Sequence, residues 1–146
     1  MNNDQQSILR LMNEYCYRID AGDLAGFAEL FRHADWQVVG VPQGADTGYE
    51  EVQKTVQNVT LYDGKTHTKH VMSNVQIDIA ESGDTAKAQS YISVLQAVSP
   101  DFPLQVIFVG HYRDTFEKVK GEWRFRSRDI HPDLIGDLSH HRADMA

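Results

Sequence analysis

The spacing of the hydrophobic residues changes along this chain, from a helical period near the N-terminus to an alternating period in the second half. Near the N-terminus, apolar residues recur every three or four positions and therefore share one face of a predicted helix: Ile8, Leu11, Met12, Tyr15 and Ile19. Gly22 is placed to end this helix in a left-handed conformation, and Asp23 is placed to cap a second, short helix. A third helix is predicted over residues 49–59, after a short strand at residues 36–41.

The second half of the chain has the pattern of consecutive strands. Turn sequences such as ESGD, SPDFP and the hairpin signal KG separate four predicted strands, at residues 69–79, 85–98, 104–118 and 123–130. Helices followed by consecutive antiparallel strands predict the α+β class. A strongly curved sheet wrapped around the helices would enclose a cone-shaped cavity.

Charge and cysteine content exclude several classes of protein. The chain has 146 residues without an internal repeat or long linker, which predicts a single domain over residues 1–146. It has 14 Lys and Arg against 21 Asp and Glu, so its formal net charge of −7 argues against nucleic-acid and anionic membrane partners. No apolar run of about 18 residues and no signal-peptide pattern is present, which predicts a cytoplasmic protein. The single cysteine, Cys16, is predicted to be a buried, inert thiol.

Common cofactor motifs are absent from the sequence. No GxGxxG or GxxxxGK phosphate loop, no GxSxG nucleophile elbow and no Cys/His spacing for zinc occurs. We therefore expect an activity without a cofactor or metal.

The order and spacing of six segments are more specific to one protein family than any single segment is. They are YCYRIDAGD at 15–23, LF at 30–31, Trp36, TKHVMSN at 68–74, GHYRD at 110–114 and GEWRFRSR at 121–128. Together they resemble the SnoaL-like family of the nuclear transport factor 2-like superfamily, which is related to scytalone dehydratase, hexachlorocyclohexane dehydrochlorinase and polyketide cyclases. The resemblance covers about residues 5–132 and leaves a C-terminal tail at 133–146.

The resemblance implies a fold, an assembly and a site. The fold is a cone-shaped α+β barrel, with three N-terminal helices packed on a strongly curved, mostly antiparallel sheet, and the assembly is a homodimer or higher homo-oligomer. Asp20 and His70 match the catalytic aspartate and histidine of the dehydratase and the dehydrochlorinase. Arg128 matches an arginine near the end of the last strand of the dehydrochlorinase, whose helix-one lysine falls near Tyr15. We therefore predict Asp20 and His70 as catalytic, with Tyr15 and Arg128 as substrate-binding or electrophilic helpers.

These residue types suit proton transfer from carbon. A neutral histidine accepts a proton near neutral pH, and a carboxylate hydrogen-bonded to it fixes the tautomer and stabilises the imidazolium. The predicted activity is that of a lyase or isomerase on a small hydrophobic cyclic or aromatic molecule. In the alternative interpretation, Asp20 is a helix cap or surface carboxylate and His70 is a packed core residue. The protein would then be a non-catalytic small-molecule-binding or scaffold member of the same fold.

Other polar residues have open or structural interpretations. His111 could face either side of the sheet, and the tail residues His140 and His141 are predicted to be solvated, although the tail could fold over the mouth of a pocket. Three arginines alternate along the last strand and so share one predicted face, where we expect two of them to be surface charges: Arg124, Arg126 and Arg128.

Overall fold

A computed structural model describes residues 1–145 of the chain. Its α-helices are α1 (Asn3–Asp20), α2 (Leu24–Glu29) and α3 (Gly48–Val56). Its strands are β1 (Asp35–Val38), β2 (Asp46–Thr47), β3 (Thr68–Ile79), β4 (Thr85–Val98), β5 (Phe102–Val119) and β6 (Glu122–Ile135). A single 3-10 turn, Ala143–Met145, lies near the end of the described chain. Among the helices of residues 1–145, none combines the length and the apolar character that crossing a membrane requires.

The strands form one six-stranded sheet in the order β2-β1-β6-β5-β4-β3. All neighbouring strands are antiparallel except β1 and β6, which are parallel. The sheet curls without closing, and α1 packs across it from β3 to β6. The predicted α+β class, with three N-terminal helices on a strongly curved, mostly antiparallel sheet, is confirmed.

Alternation along the long strands decides which face of the sheet meets the helices. In β4 every second side chain is buried, as the alternating pattern predicts: Ala86, Ala88, Ser90, Ile92, Val94 and Gln96. Aromatic side chains from the helices complete the core, where Phe31 stacks on Phe125 at 4.9 Å between ring centroids. The edge of Trp36 meets Phe27 at 5.7 Å. The core therefore lies between the helices and one face of the sheet.

A bulge in β6 reverses the faces on which its arginines lie. Phe116 pairs with Phe125, but the next residue of β5, Thr115, pairs with Ser127, so Arg126 is an extra residue in β6. Arg126 is exposed, whereas the side chain of Arg128 is 0% exposed. The prediction that the three arginines share one face is therefore wrong, because one inserted residue reverses the alternation.

The last strand is also longer than predicted, since β6 ends at Ile135 instead of Ile130. Pro132 lies opposite Gly110, next to a second shift in register. The partner strand β1 pairs with β6 only as far as Ile130. A bulge of this kind tolerates proline in a strand, which the sequence pattern treats as a break.

The C-terminal tail folds back onto the domain. The Thr60 amide donates a hydrogen bond to the His141 carbonyl at 2.9 Å, and the Tyr62 hydroxyl donates one to the His140 carbonyl at 2.6 Å. The His141 residue is only 8% exposed. The prediction of a solvated tail is therefore wrong for these two histidines, because contacts distant in sequence hold them. Ala146, the last residue of the predicted tail, lies outside the described residues.

Gly22 follows the last residue of α1, Asp20, and its cap, Ala21, and its close approach to another loop makes a test of the fold possible. Gly22 has φ +75°, and a Cβ there would lie 2.0 Å from the Gly64 carbonyl oxygen. Gly83 has a similar φ of +79°, but a Cβ there would meet nothing within 4 Å. We expect Gly83→Ala to lower the free energy of unfolding by about 1 kcal/mol, and Gly22→Ala to lower it by at least about 1 kcal/mol more. Urea denaturation measures both, and equal losses would contradict the close approach.

Candidate active site

Asp20, the last residue of α1, is held by three hydrogen bonds from β3. Its Oδ1 accepts from the Thr68 hydroxyl at 2.8 Å and contacts the His70 Nδ1 at 2.6 Å, while its Oδ2 accepts from the His70 backbone amide at 2.8 Å. The Asp20 side chain is 11% exposed. The carboxylate therefore joins the end of α1 to the beginning of β3.

The hydrogen bonds keep the Asp20 carboxylate ionised although it is largely buried. Burial alone would raise the pKa of Asp20, but the hydrogen bonds and charge of His70 and the hydrogen bond from Thr68 outweigh burial. The pKa of Asp20 consequently lies below its ordinary value. A carboxylate in this state accepts hydrogen bonds and donates none.

The Asp20 contact assigns the tautomer of His70. Because an ionised carboxylate is an acceptor only, the Nδ1 of His70 carries the proton in this contact. The neutral ring then has a lone pair on Nε2, and no other described residue hydrogen-bonds to this nitrogen. The His70 side chain is 8% exposed and lines a cavity. The arrangement therefore combines a ring oriented by a carboxylate with a place in a cavity wall.

The cavity beside His70 has a volume of about 140 Å³ and a mostly apolar wall. Its wall is formed by α1, α2, α3, five strands (β1, β3, β4, β5 and β6) and the C-terminal segment. Its lining residues include Ile19, Phe27, Trp36, Val56, Val94, Phe108, Ile130 and Leu138. Such a site takes a small apolar molecule and orients it by few polar groups.

Tyr15 lies on the wall of the same cavity as His70. Its hydroxyl oxygen accepts a hydrogen bond from the Trp36 indole at 3.3 Å, so the hydroxyl proton is available to another acceptor. Burial raises the pKa of Tyr15, and the hydroxyl stays protonated at neutral pH. The structure therefore places a neutral donor in the cavity with the imidazole.

Arg128 lies behind Tyr15 instead of in the cavity wall. Its guanidinium makes two hydrogen bonds of 2.8 Å to the Asp114 carboxylate, and it lies 4.3 Å from the ring centroid of Tyr15 and 3.9 Å from that of Tyr112. Burial opposes its charge, but Asp114 and the neighbouring tyrosines hold the pKa of Arg128 above its ordinary value. Arg128 is thus a buried cation that is separated from the cavity by the rings of Tyr15 and Tyr112, which both line it.

Two further residues from the sequence analysis, His111 and Cys16, do not line the cavity, whereas His141 does. His111 lies on the other face of the sheet from Tyr112, where its Nδ1 contacts the Asp133 carboxylate at 2.7 Å. Cys16 is buried, and burial raises the pKa of its thiol to about 11, as expected for an inert thiol. His141 lines the cavity although its segment has no recognisable period. The apolar Leu138, which packs against the core, is the feature of the sequence that indicates burial of this segment.

Among residues 1–145, no three His, Cys, Asp or Glu side chains come close enough together to hold a metal ion.

Comparison with known proteins identifies the family and supports the fold. A family model described as the SnoaL-like domain matches residues 2–129. No curated protein sequence matches the chain. A structure with 26% identity is that of a candidate scytalone dehydratase from Novosphingobium aromaticivorans, with a TM-score of 0.70 over 90% of this chain and 85% of that one.

Two further solved structures are similar in fold at lower identity. A protein of unknown function from Nostoc punctiforme, with a cystatin-like fold, has 20% identity and a TM-score of 0.76 over 94% of this chain and 97% of that one. ActVI-ORFA from Streptomyces coelicolor has 17% identity and a TM-score of 0.75 over 90% of this chain and 98% of that one. At these identities the similarity shows the fold alone.

The burial of His141 predicts a specific dependence of stability on pH. Burial, together with the charges of His70 and Arg142, lowers the pKa of His141 to about 3, while Asp20 opposes this shift. Between about pH 6.5 and pH 3 the unfolded chain therefore binds a proton at this residue that the folded chain does not, so stability falls as the pH falls. We expect this residue to contribute a slope of about 1.4 kcal/mol per pH unit.

The His141→Leu variant tests this dependence by urea denaturation at several pH values between about 6.5 and 5, above the range in which Asp20 of the unfolded chain begins to protonate. The variant should have a shallower pH dependence than the natural chain. The same substitution at the exposed His33 is the control. Equal slopes for the natural chain and His141→Leu would show that His141 is not buried in its neutral form.

Proposed function

This chain belongs to the SnoaL-like domain family, and we propose that it is a lyase or isomerase that removes a proton from carbon without a cofactor. Asp20 and His70 are the proposed catalytic pair, and the substrate is a small hydrophobic cyclic or aromatic molecule. The observation that carries this proposal is the 2.6 Å contact between Asp20 Oδ1 and His70 Nδ1, beside an apolar cavity.

His70 is the base in this mechanism. Its Nε2 lone pair takes a proton from a carbon that is acidified by a neighbouring carbonyl or by an adjacent carbon bearing a leaving group, and the ring becomes an imidazolium. Asp20 stabilises that cation across the 2.6 Å contact and prevents the ring from turning. General-base assistance of this kind is worth about 10²–10⁴-fold in rate.

The fate of the proton separates the two reaction types. In an isomerisation, the imidazolium returns the proton to another carbon of the same molecule and the double bond moves. In an elimination, the electrons of the broken C–H bond form a double bond and expel the leaving group, which takes up the proton. Both begin with the same step at His70, and a dehydration is an elimination of the second kind.

Tyr15 supports this step from the cavity wall, and Arg128 supports it from behind Tyr15. The neutral hydroxyl of Tyr15 donates a hydrogen bond to the developing oxyanion or leaving group. Arg128 acts as a positioning residue, because its guanidinium packs over the Tyr15 ring, 4.3 Å from the ring centroid. The cavity of about 140 Å³ suits a single small ring, since a cavity of about 150 Å³ accommodates benzene.

Exchange of carbon-bound hydrogen tests the proposed base without knowledge of the natural substrate. Cyclohexanone in D₂O exchanges its α-protons when a base abstracts them, and proton NMR follows their loss. We expect the natural chain to accelerate this exchange, and His70→Gln to reduce the acceleration by about 10²-fold or more. Asp20→Asn should also reduce it, because an amide does not stabilise the imidazolium.

The outer face of the sheet offers a matched control for this experiment. His111 and Asp133 form a similar contact of 2.7 Å outside the cavity, so His111→Gln should leave the exchange unchanged. Full exchange activity in His70→Gln would contradict the proposed base. If the natural chain binds ring compounds but accelerates exchange in none of a panel of cyclic ketones, the protein is a non-catalytic binding member of its fold.

Tyr15→Phe tests the donor separately from the base. The substitution removes one hydroxyl and retains the ring that packs against Arg128 and Phe27. We expect a loss of about 10²–10³-fold in the catalysed exchange rate, with affinity for cyclohexanone reduced much less, because the donor acts mainly on charge that develops during the reaction. A loss confined to affinity would contradict the electrophilic role.

A further inference from the structure

A second imidazole faces the cavity, and the proposed mechanism does not use it. His141 comes from the C-terminal segment after β6 and lines the same cavity as His70. The two ring centroids lie 5.9 Å apart with an interplanar angle of 60°. This spacing is too short for a substrate ring to lie between them, which needs a contact of roughly 3.5 Å on each face. A molecule in the cavity therefore cannot be sandwiched between the two imidazoles.

The backbone of this segment is anchored, so the position of His141 is defined. The His141 amide donates to the Leu138 carbonyl at 3.0 Å, and its carbonyl accepts from the Thr60 amide at 2.9 Å. The preceding residue is also fixed, because the His140 carbonyl accepts from the Gln96 side chain at 3.1 Å and the His140 ring stacks on Phe102 at 4.0 Å. The backbone of His141 is thus held at the cavity, and its side chain is buried there.

The hydrogen bonds of the His141 ring are incomplete within residues 1–145. Its Nδ1 is closed off from solvent and has no hydrogen-bond partner among the described residues. A buried N–H without a partner is rarer in proteins than an acceptor with an unused lone pair. The ring therefore carries its proton on Nε2, and the donor of this residue is the nitrogen that is free to meet a ligand.

The groups that face His141 keep this ring neutral. Burial lowers its pKa, and the neighbouring His70 and Arg142 lower it further, against the opposing effect of Asp20. A neutral imidazole remains able to donate a hydrogen bond to an oxygen throughout the neutral range of pH. His141 is accordingly suited to binding and unsuited to supplying a proton as a cation.

We propose that His141 is a substrate-binding residue that donates a hydrogen bond from Nε2 to an oxygen on the substrate ring. This inference rests on the proposed function, and it narrows the substrate class to ring compounds with a hydroxyl or carbonyl oxygen. The oxygen is expected on the same side of the ring as the carbon that gives its proton to His70, because the two imidazole centroids lie 5.9 Å apart. Most of the remaining cavity wall is apolar and accepts the hydrocarbon part of the ring.

Phenol and toluene form a matched pair of probes for this inference. They have nearly the same shape and differ by a hydroxyl in place of a methyl group, and the fluorescence of Trp36 in the cavity wall reports binding of either. We expect the natural chain to prefer phenol, and His141→Leu to lower the phenol-to-toluene affinity ratio by roughly 2- to 10-fold. His141→Gln supplies an amide donor and should restore part of the preference.

The control is His33→Leu, which changes an exposed histidine that does not line the cavity and should leave the ratio unchanged. Circular dichroism checks that each variant is folded, and if His141→Leu does not fold, His141→Phe, which also lacks a donor, takes its place. An unchanged phenol-to-toluene ratio in the folded variant without a donor overturns the inference. So does a preference that disappears only in His70→Gln, or a natural chain that does not favour phenol.

This binding experiment does not depend on turnover, so the two proposals can fail separately. If the natural chain shows no proton exchange but His141→Leu loses its preference for phenol, the proposed enzyme function fails and the role of His141 in binding stands. If exchange depends on His70 while the ratio is insensitive to His141, the base is supported and the inference about His141 fails.

Discussion

Three hydrogen bonds to the Asp20 carboxylate join the end of α1 to β3 and fix the ring of His70. The same strand supplies the Thr68 hydroxyl, the backbone amide and the imidazole, so the acceptor and the ring are positioned by one short segment. Hydrogen bonds to a charged group are worth about 1.5–3 kcal/mol each, which is enough to keep the carboxylate buried and ionised. The proposed chemistry depends on this contact, because without it neither the tautomer nor the direction of Nε2 is defined.

A second polar unit, Arg128 with Asp114, lies deeper in the same core. A buried ion pair seldom stabilises a fold more than well-packed apolar residues would, since both charges lose their hydration. Here the guanidinium is also enclosed by the rings of Tyr15 and Tyr112, at 4.3 and 3.9 Å. The arrangement places a fixed positive charge over the ring of Tyr15, a residue that lines the cavity. This position is consistent with a role in supporting negative charge, and the apolar wall would strengthen that effect.

The sequence predicts the parts of the structure that depend on local periodicity. The helical spacing from Ile8 to Ile19 and the alternation along β4 both report the buried face correctly, because each element buries one side. The association of Asp20 with His70 came from the family resemblance, since no local pattern relates residues 50 positions apart. Two features escaped prediction for physical reasons: the single extra residue at Arg126 reverses the faces of β6, and long-range hydrogen bonds place His141.

The protonation of the His70 ring is the most direct test of this account. Two-dimensional ¹⁵N–¹H NMR of histidine side chains at about pH 8 distinguishes the two neutral tautomers, and the His70→Gln variant assigns the signals. The account predicts that Nδ1 carries the proton, hydrogen-bonded to Asp20, and that Nε2 has the chemical shift of an unprotonated nitrogen. A His70 ring with its proton on Nε2, or one that exchanges rapidly between both tautomers, would contradict the oriented base on which the proposed function depends.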